Sequence, residues 1–348
     1  MAYSNLSERL LLVIGPPVEE AIIVEMVSSP PYRSLLRRLL GIIVVTCSAI
    51  HSTSAKPPDT TEITRLQVFL DNHHFSPGSI DGQYGTFTKR ALAYYNTQQQ
   101  RKPSDWRTAH SLSEQQVPIA FVTHQITPED QRWIGTVPKD LGNQAKLRAL
   151  PYTSLVEYVA ERYHADQRFL QRLNPQLDLD LLKSGDLVVV PNVKHVFRIE
   201  AMPRSKRYRA HAKRVDCYAF INTKQRMAGL YRGTKLVAAF PITHGRAQFV
   251  PRGDWKIQTM LTTPSFRWDE RMLKEGQRSE SFHLLPPGPN NPVGILWAGI
   301  NKPGIGLHGT NSPETIGRAY SAGCIRFANW DAIRLPKFLC PGSAVIVR

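Results

Sequence analysis

Acidic side chains are scarce in this sequence: 28 Asp and Glu stand against 44 Lys and Arg in 348 residues, a formal net charge of +16. That imbalance favours polyanionic surroundings, whether nucleic acid, anionic lipid or a carboxylate-rich polymer, without choosing among them. Aromatics are nearly missing from the most basic stretch, PRSKRYRAHAKR at residues 203–214, where Tyr208 stands alone. It therefore reads as a solvated charged linker, and no nucleic-acid partner is expected. No apolar run reaches the ~20 residues that a bilayer span needs. His73, His74, His164, His211, His244, His283 and His308 lack ligand-like spacing with cysteines or carboxylates, so no metal site is expected. No phosphate-cradling glycine loop opens a helix either, and cofactor-free chemistry follows.

What is present is an ordinary apolar fraction, 42%, in a chain long enough for two or three domains. Near the start, Arg33, Arg37 and Arg38 precede an apolar run from Leu39 to Ile50 and a Thr-Ser-Ala exit at Ala55. A positive flank, a short apolar core and small residues read as a secretory signal, with an uncleaved inner-membrane anchor as the alternative. Residues 1–55 are accordingly assigned to a leader and signal peptide, with Met26 as a candidate start and a periplasmic or cell-envelope destination. Removal of that leader leaves Cys217, Cys324 and Cys340, an odd number in an oxidising compartment, which flags one reactive thiol. Cys217 and Cys340 are open either to pairing or to burial as free thiols.

Three segments follow. In residues 60–100, Leu66, Phe69 and Leu70, and later Leu92, Tyr94 and Tyr95, have helical spacing. Between them the turn formers of SPGSIDGQYG predict two short helices clasping a tight loop, with Thr86 capping the second and His73 and His74 solvated. The stretch PGSIDGQYGTFTKRAL resembles the small α-helical peptidoglycan-binding domain. Residues 101–146 read as a linker. In residues 147–193, Leu155, Val156, Val159 and Ala160 form one helical face and Phe169, Leu170 and Leu173 another, stopped at Asn174-Pro175. Ser184-Gly185 then turns into a strand from Leu187 to Val190. Two helices, LNP and GDLVVVP resemble an α+β LysM module, which binds N-acetylglucosamine polymers, although the opening strand is poorly marked.

Residues 194–348 change to short β-rich runs separated by turn signals at Asn222-Thr223-Lys224 and Arg232-Gly233, closing on GSAVIVR. A mainly-β domain is predicted, with little helix beyond NWDAIRLPKFL. Near its end, IGLHGTNSPETIGRAYSAGCIR places His308 and Cys324 around a loop rich in Gly, Ser and Thr. A thiol becomes a useful nucleophile when a base is close. Gly323 permits a sharp approach in which backbone N–H groups converge on developing charge, and the carbonyl of Gly309 is placed to orient the imidazole. A buried thiol beside an unrelated loop histidine gives the same spacing, and spacing alone leaves both readings open.

The longer context, PPGPNNPVG, GLHGT, IG and S-x-G-C-I-R in that order, resembles the catalytic region of L,D-transpeptidases of the YkuD type, over about residues 196–348. The resemblance implies a β-sandwich-like catalytic domain in a multidomain chain. It also implies that Cys324 attacks a peptidoglycan tetrapeptide stem, releasing terminal D-alanine and forming a thioester that passes to an amine. His308 would be the base, Gly309 its orienting carbonyl, and the N–H groups of Gly323 and Cys324 the oxyanion hole. Arg326 would pair with a stem-peptide carboxylate or, alternatively, form a structural salt bridge. Ser321 would support the loop or be a mere turn serine, and Trp297 and Tyr320 would line the cleft or belong to the core. The implied partners are peptidoglycan strands, an outer-membrane lipoprotein as one acceptor, and carbapenems as covalent inhibitors. Hydrolysis by the same cysteine (a carboxypeptidase or related murein hydrolase) and a non-catalytic wall-binding protein are the alternatives. The departure from the pattern is Ala322, where many members carry histidine.

Overall fold

Helix α1, Thr60–Asn72, begins at a reciprocal cap: Asp59 accepts from the Glu62 N–H, and Glu62 accepts from the Asp59 N–H. Leu66, Phe69 and Leu70 are fully buried on its inner face, as their spacing predicts. Helix α2, Thr86–Gln98, buries Leu92 and Tyr95. Its cap is Gly85, with no side-chain hydrogen bond, so Thr86 is the first helical residue and not the cap. The loop between the helices is held from below by the buried Gln67. Its carbonyl oxygen accepts from the N–H groups of Asp81 and Gly82, and its amide donates to the Asp81 carboxylate at 2.8 Å. His74 is not solvated: it packs against His195 and Phe338. The computed structural model describes residues 59–211, 216–245, 252–318 and 323–348. The expected leader, residues 1–55 with Met26, lies outside the described residues.

The span read as a linker, 101–146, carries regular structure. Helix α3, Trp106–Gln116, packs on α1, and strand β1, Phe121–Gln125, is followed by the short helices α4, Pro128–Gln131, and α5, Leu141–Ala145. Helices α6, Leu155–Arg162, and α7, Gln167–Leu173, come next, and strand β2, Leu187–Pro191, returns antiparallel to β1. The strand that pairs with Leu187–Pro191 thus lies upstream of residues 147–193. Phe121–Gln125 hides its role because one strand neighbour and two packing faces leave no clean alternation of apolar and polar residues. Asn174 locks helix to strand: its amide donates to the carbonyls of Leu170 and Val189 at 2.9 Å and accepts from the Val189 N–H at 2.8 Å.

Beyond residue 216 the chain forms strands β3, Cys217–Asn222; β4, Met227–Arg232; β5, Lys235–Pro241; β6, Gly253–Thr262; β7, Phe266–Trp268; and β8, His283–Leu285, with helix α8, Glu270–Glu275, between the last two. Strands β9, Leu296–Ile300, β10, Gly306–His308, and β11, Ile325–Arg326, follow. Helices α9, Asn329–Ala332, and α10, Leu335–Phe338, then lead to β12, Ala344–Val347. Eight strands make one sheet in the order β11-β10-β9-β6-β12-β3-β4-β5. The ten-residue β6 joins its halves: residues 253–256 pair with β12, and residues 257–262 pair with β9 across a register shift between Ile257 and Thr259. A strand that bends and changes partner turns one sheet back on itself. The mainly-β expectation is met, and the sandwich-like expectation is replaced by a single curled sheet. Cys217 and Cys340 are both buried and free, so the disulfide is not formed.

The N-terminal helices are welded to this sheet. Arg334 donates to both oxygens of Asp71 at 2.8 Å, His164 Nδ1 lies 3.1 Å from the same carboxylate, and Ser76 donates to Asp331 at 2.9 Å. All these groups are buried. Burial pushes the Asp71 carboxyl upward, but Arg334 and His164 overcome it and hold the group well below the usual carboxylate range.

Candidate active site

Pairing on the sheet edge sets the site. Strand β10 runs parallel to β11 with His308 opposite Arg326, and antiparallel to β9 with His308 opposite Trp297. Thr243 bridges to Arg326 on the far side. Leu307, Ile325, Leu296 and Ala298 point into the core. Because side chains alternate along strands, Trp297, His308 and Arg326 share the opposite face. Cys324 immediately precedes β11, alongside Gly306. Its thiol donates to the Gly304 carbonyl at 3.6 Å.

His308 is buried, and its Nδ1 lies 2.6 Å from the Gly309 carbonyl oxygen. A carbonyl can only accept, so Nδ1 carries the proton and Nε2 keeps its lone pair, which is the tautomer of a base. The Trp297 indole stacks on the imidazole with centroids 5.7 Å apart and planes 24° apart. Trp297 therefore flanks His308 and is not a core aromatic alone. Burial lowers His308 to about 4, although the Gly309 bond pulls it back up. Burial likewise pushes the Cys324 thiol up to about 11, against smaller pulls from the Gly306 backbone and Arg326. The two groups rest as a neutral thiol and a neutral imidazole.

Gly323 has φ +126°, a region that side-chain-bearing residues rarely enter. Gly245, in the segment FPITHG, faces it so closely that a Cβ there would lie 2.6 Å from the Gly323 Cα. The turn before Cys324 thus depends on two facing glycines, of which the sequence reading named one. Arg326 is half-buried, its Nε has no hydrogen-bond partner, and no carboxylate lies within ion-pair distance of it among the described residues. No structural salt bridge to Arg326 forms among the described residues, although the Glu314 carboxylate is near enough to act on its charge. Tyr320, Ser321 and Ala322 lie outside the described residues.

Asn329, which sequence reasoning missed, is fully buried behind the Gly309–Thr310 peptide. Its carbonyl oxygen accepts from the N–H groups of Ile295 and Thr310, each at 3.2 Å. Its amide donates to Glu161 of α6 at 2.9 Å. A Cβ on Gly294 or on Gly309 would overlap that Asn329 oxygen. The glycines of PVG and HGT are there to admit it. Two clefts, of about 420 and 520 Å³, run beside residues 313–318, between this loop and the N-terminal helices, and neither is lined by His308 or Cys324. The loop itself is braced, with Phe87 against Gly317 and Arg226 donating to the Gly317 carbonyl.

The chain is similar to several known proteins. The chain is 25% identical over 193 residues to YkuD of Bacillus licheniformis, described as an L,D-transpeptidase, covering 55% of this chain and 92% of that protein. It is 42% identical over 59 residues to YkuD of Bacillus subtilis, covering 17% of this chain and only 36% of that protein. Among solved structures, L,D-transpeptidase 3 from Mycobacterium tuberculosis, bearing a faropenem-derived adduct, overlaps 48% of this chain and 75% of that one, at 14% identity and a TM-score of 0.32. Residues 216–347, which hold the curled sheet, His308 and Cys324, match the family model of the L,D-transpeptidase catalytic domain, YkuD.

Proposed function

We propose that the protein is a cell-wall L,D-transpeptidase whose nucleophile is Cys324. The observation that carries this reading is the Nδ1 contact of His308 with Gly309 at 2.6 Å, on the strand paired with the one that Cys324 opens. It leaves Nε2 as an acceptor on β10, which pairs with β11. In the first half-reaction the thiol proton passes to Nε2 as Sγ attacks the stem-peptide carbonyl. The N–H groups of Gly323 and Cys324 receive the oxyanion. Collapse breaks the amide bond, the departing D-alanine takes the proton from His308, and a thioester remains. An acceptor amine then attacks, gives its proton to His308, and expels Sγ, which recovers that proton. Arg326 binds a substrate carboxylate.

The antiparallel strands β1 and β2, which enclose helices α4 to α7, and the clasped loop of α1 and α2 support wall-binding roles for the N-terminal half. Tethering to an insoluble polymer raises its local concentration at the site. A positively charged chain suits the carboxylates of that polymer, and export by the leader places it in the cell envelope. The test is labelling with a carbapenem followed by intact-mass measurement. One adduct on the wild type and none on Cys324→Ala is expected; no adduct, or one that survives the substitution, sinks the reading. Tetrapeptide muropeptides incubated with and without an amine then separate transfer from hydrolysis, since a tripeptide product in both arms means that water is the acceptor.

A further inference from the structure

We propose that Glu161, on α6 and outside the matched residues 216–347, is a positioning residue for His308, acting through Asn329 and the Gly309–Thr310 peptide. This rests on the reading of His308 as the base. The relay is a chain of single contacts. Glu161 Oε1 accepts from Asn329 Nδ2 at 2.9 Å, and Asn329 Oδ1 accepts from the Thr310 N–H at 3.2 Å. The Thr310 N–H and the Gly309 carbonyl are the two ends of one planar peptide unit. That carbonyl is the group 2.6 Å from His308 Nδ1. Fixing one end of the plane fixes the other, and with it the tautomer that leaves Nε2 free.

Glu161 decides which way the Asn329 amide faces. An amide has two orientations about its last torsion, and the wrong one would set its NH2 group against two N–H donors, those of Ile295 and Thr310. The other acceptor near Nδ2, the Pro289 carbonyl, lies at 3.4 Å, the far edge of hydrogen-bond distance. Only Glu161 holds the amide firmly. The carboxyl is itself held by Tyr152 Oη at 2.5 Å from Oε2. Burial pushes it up to about 8, against the bonds from Tyr152 and Asn329 and with Glu157 adding a smaller upward push. In either protonation state a carboxyl oxygen accepts from Asn329, and glutamine reproduces that role. The N-terminal half therefore contributes a residue to the catalytic geometry and is more than a tether.

The test uses the full chain, 15N-labelled, as wild type, Glu161→Gln, Glu161→Leu and the double variant Tyr152→Phe/Glu161→Leu. The double variant removes both polar partners together, which spares the fold an orphaned hydroxyl. Two readouts are taken: the carbapenem acylation rate per titratable Cys324, and the His308 Nδ1–H resonance, assigned by its loss in His308→Gln. Glu161→Gln is expected to keep both. The leucine variants are expected to acylate ~10- to 100-fold more slowly at unchanged stoichiometry, and to lose the resonance. Folded leucine variants with wild-type rate and resonance overturn the proposal, as does a Glu161→Gln variant that loses both. If the wild type is never acylated, the acyl-transfer reading fails, while the resonance still decides the relay.

Discussion

Burial moves the two reacting groups apart, with His308 near 4 and Cys324 near 11, so across neutral pH neither is charged before substrate arrives. The sign follows directly. A histidine lowered to about 4 keeps its lone pair down to that pH, and only below it does protonation remove the base. The acid limb of carbapenem acylation is therefore expected near pH 4, well below the 6.5 of an ordinary imidazole; a stopped-flow profile over the acidic range checks this. Arg326→Gln is expected to raise KM for the tetrapeptide donor by ~10-fold or more with a smaller change in kcat, because a charge-assisted bond of ~1.5–3 kcal/mol is lost in binding. Steady-state kinetics on purified muropeptides separate the two constants. At this scale the sequence was legible where chemistry is local: His308, Gly309, Gly323 and Cys324 lie in two short motifs. Asn329 and Glu161 were not legible, because their contact joins positions 168 residues apart and a buried polar residue looks like a surface one in sequence.

Among the elements, the helices were readable and the small strands less so. Leu66, Phe69 and Leu70 repeat at helical spacing and are buried, and the helix-stopping LNP ends α7 at Leu173. Strand β1 escaped notice because FVTHQ sends Phe121 toward one core cluster and Val122 toward the other, which erases the two-residue alternation. The curl of the main sheet was equally hidden, since it depends on a register shift inside β6 that no composition signal marks. Asn174 was legible only as a helix stop, whereas its side chain makes three hydrogen bonds to the Leu170 and Val189 backbone. Asn174→Ala leaves buried backbone groups unmatched and is expected to cost about 1–3 kcal/mol, read as a lower urea midpoint with an unchanged slope.

The described residues from Asp59 onward act as one body because core and charge both cross the boundaries drawn from sequence. One apolar cluster contains Leu155 and Val159 together with Ala219 and Leu307, and the other joins Phe69 to Met227 and Ala239. The pairing of Asp71 with Arg334 spans 263 positions without leaving the interior. Asp71→Asn leaves Arg334 buried without its bidentate partner and is expected to destabilise the protein by about 3–5 kcal/mol, seen as a lower melting temperature at neutral pH. The N-terminal half thus reaches the catalytic sheet as structure, whatever it binds. The central claim, that Cys324 takes an acyl group from a wall peptide, is met most directly by trapping that intermediate. The protein is mixed with a purified tetrapeptide muropeptide, quenched in acid and digested, and the peptide containing Cys324 is weighed. The predicted result is a mass gain equal to the muropeptide less one D-alanine, confined to that peptide and absent from Cys324→Ala. An unmodified Cys324 during active turnover, or the adduct on another residue, contradicts the account.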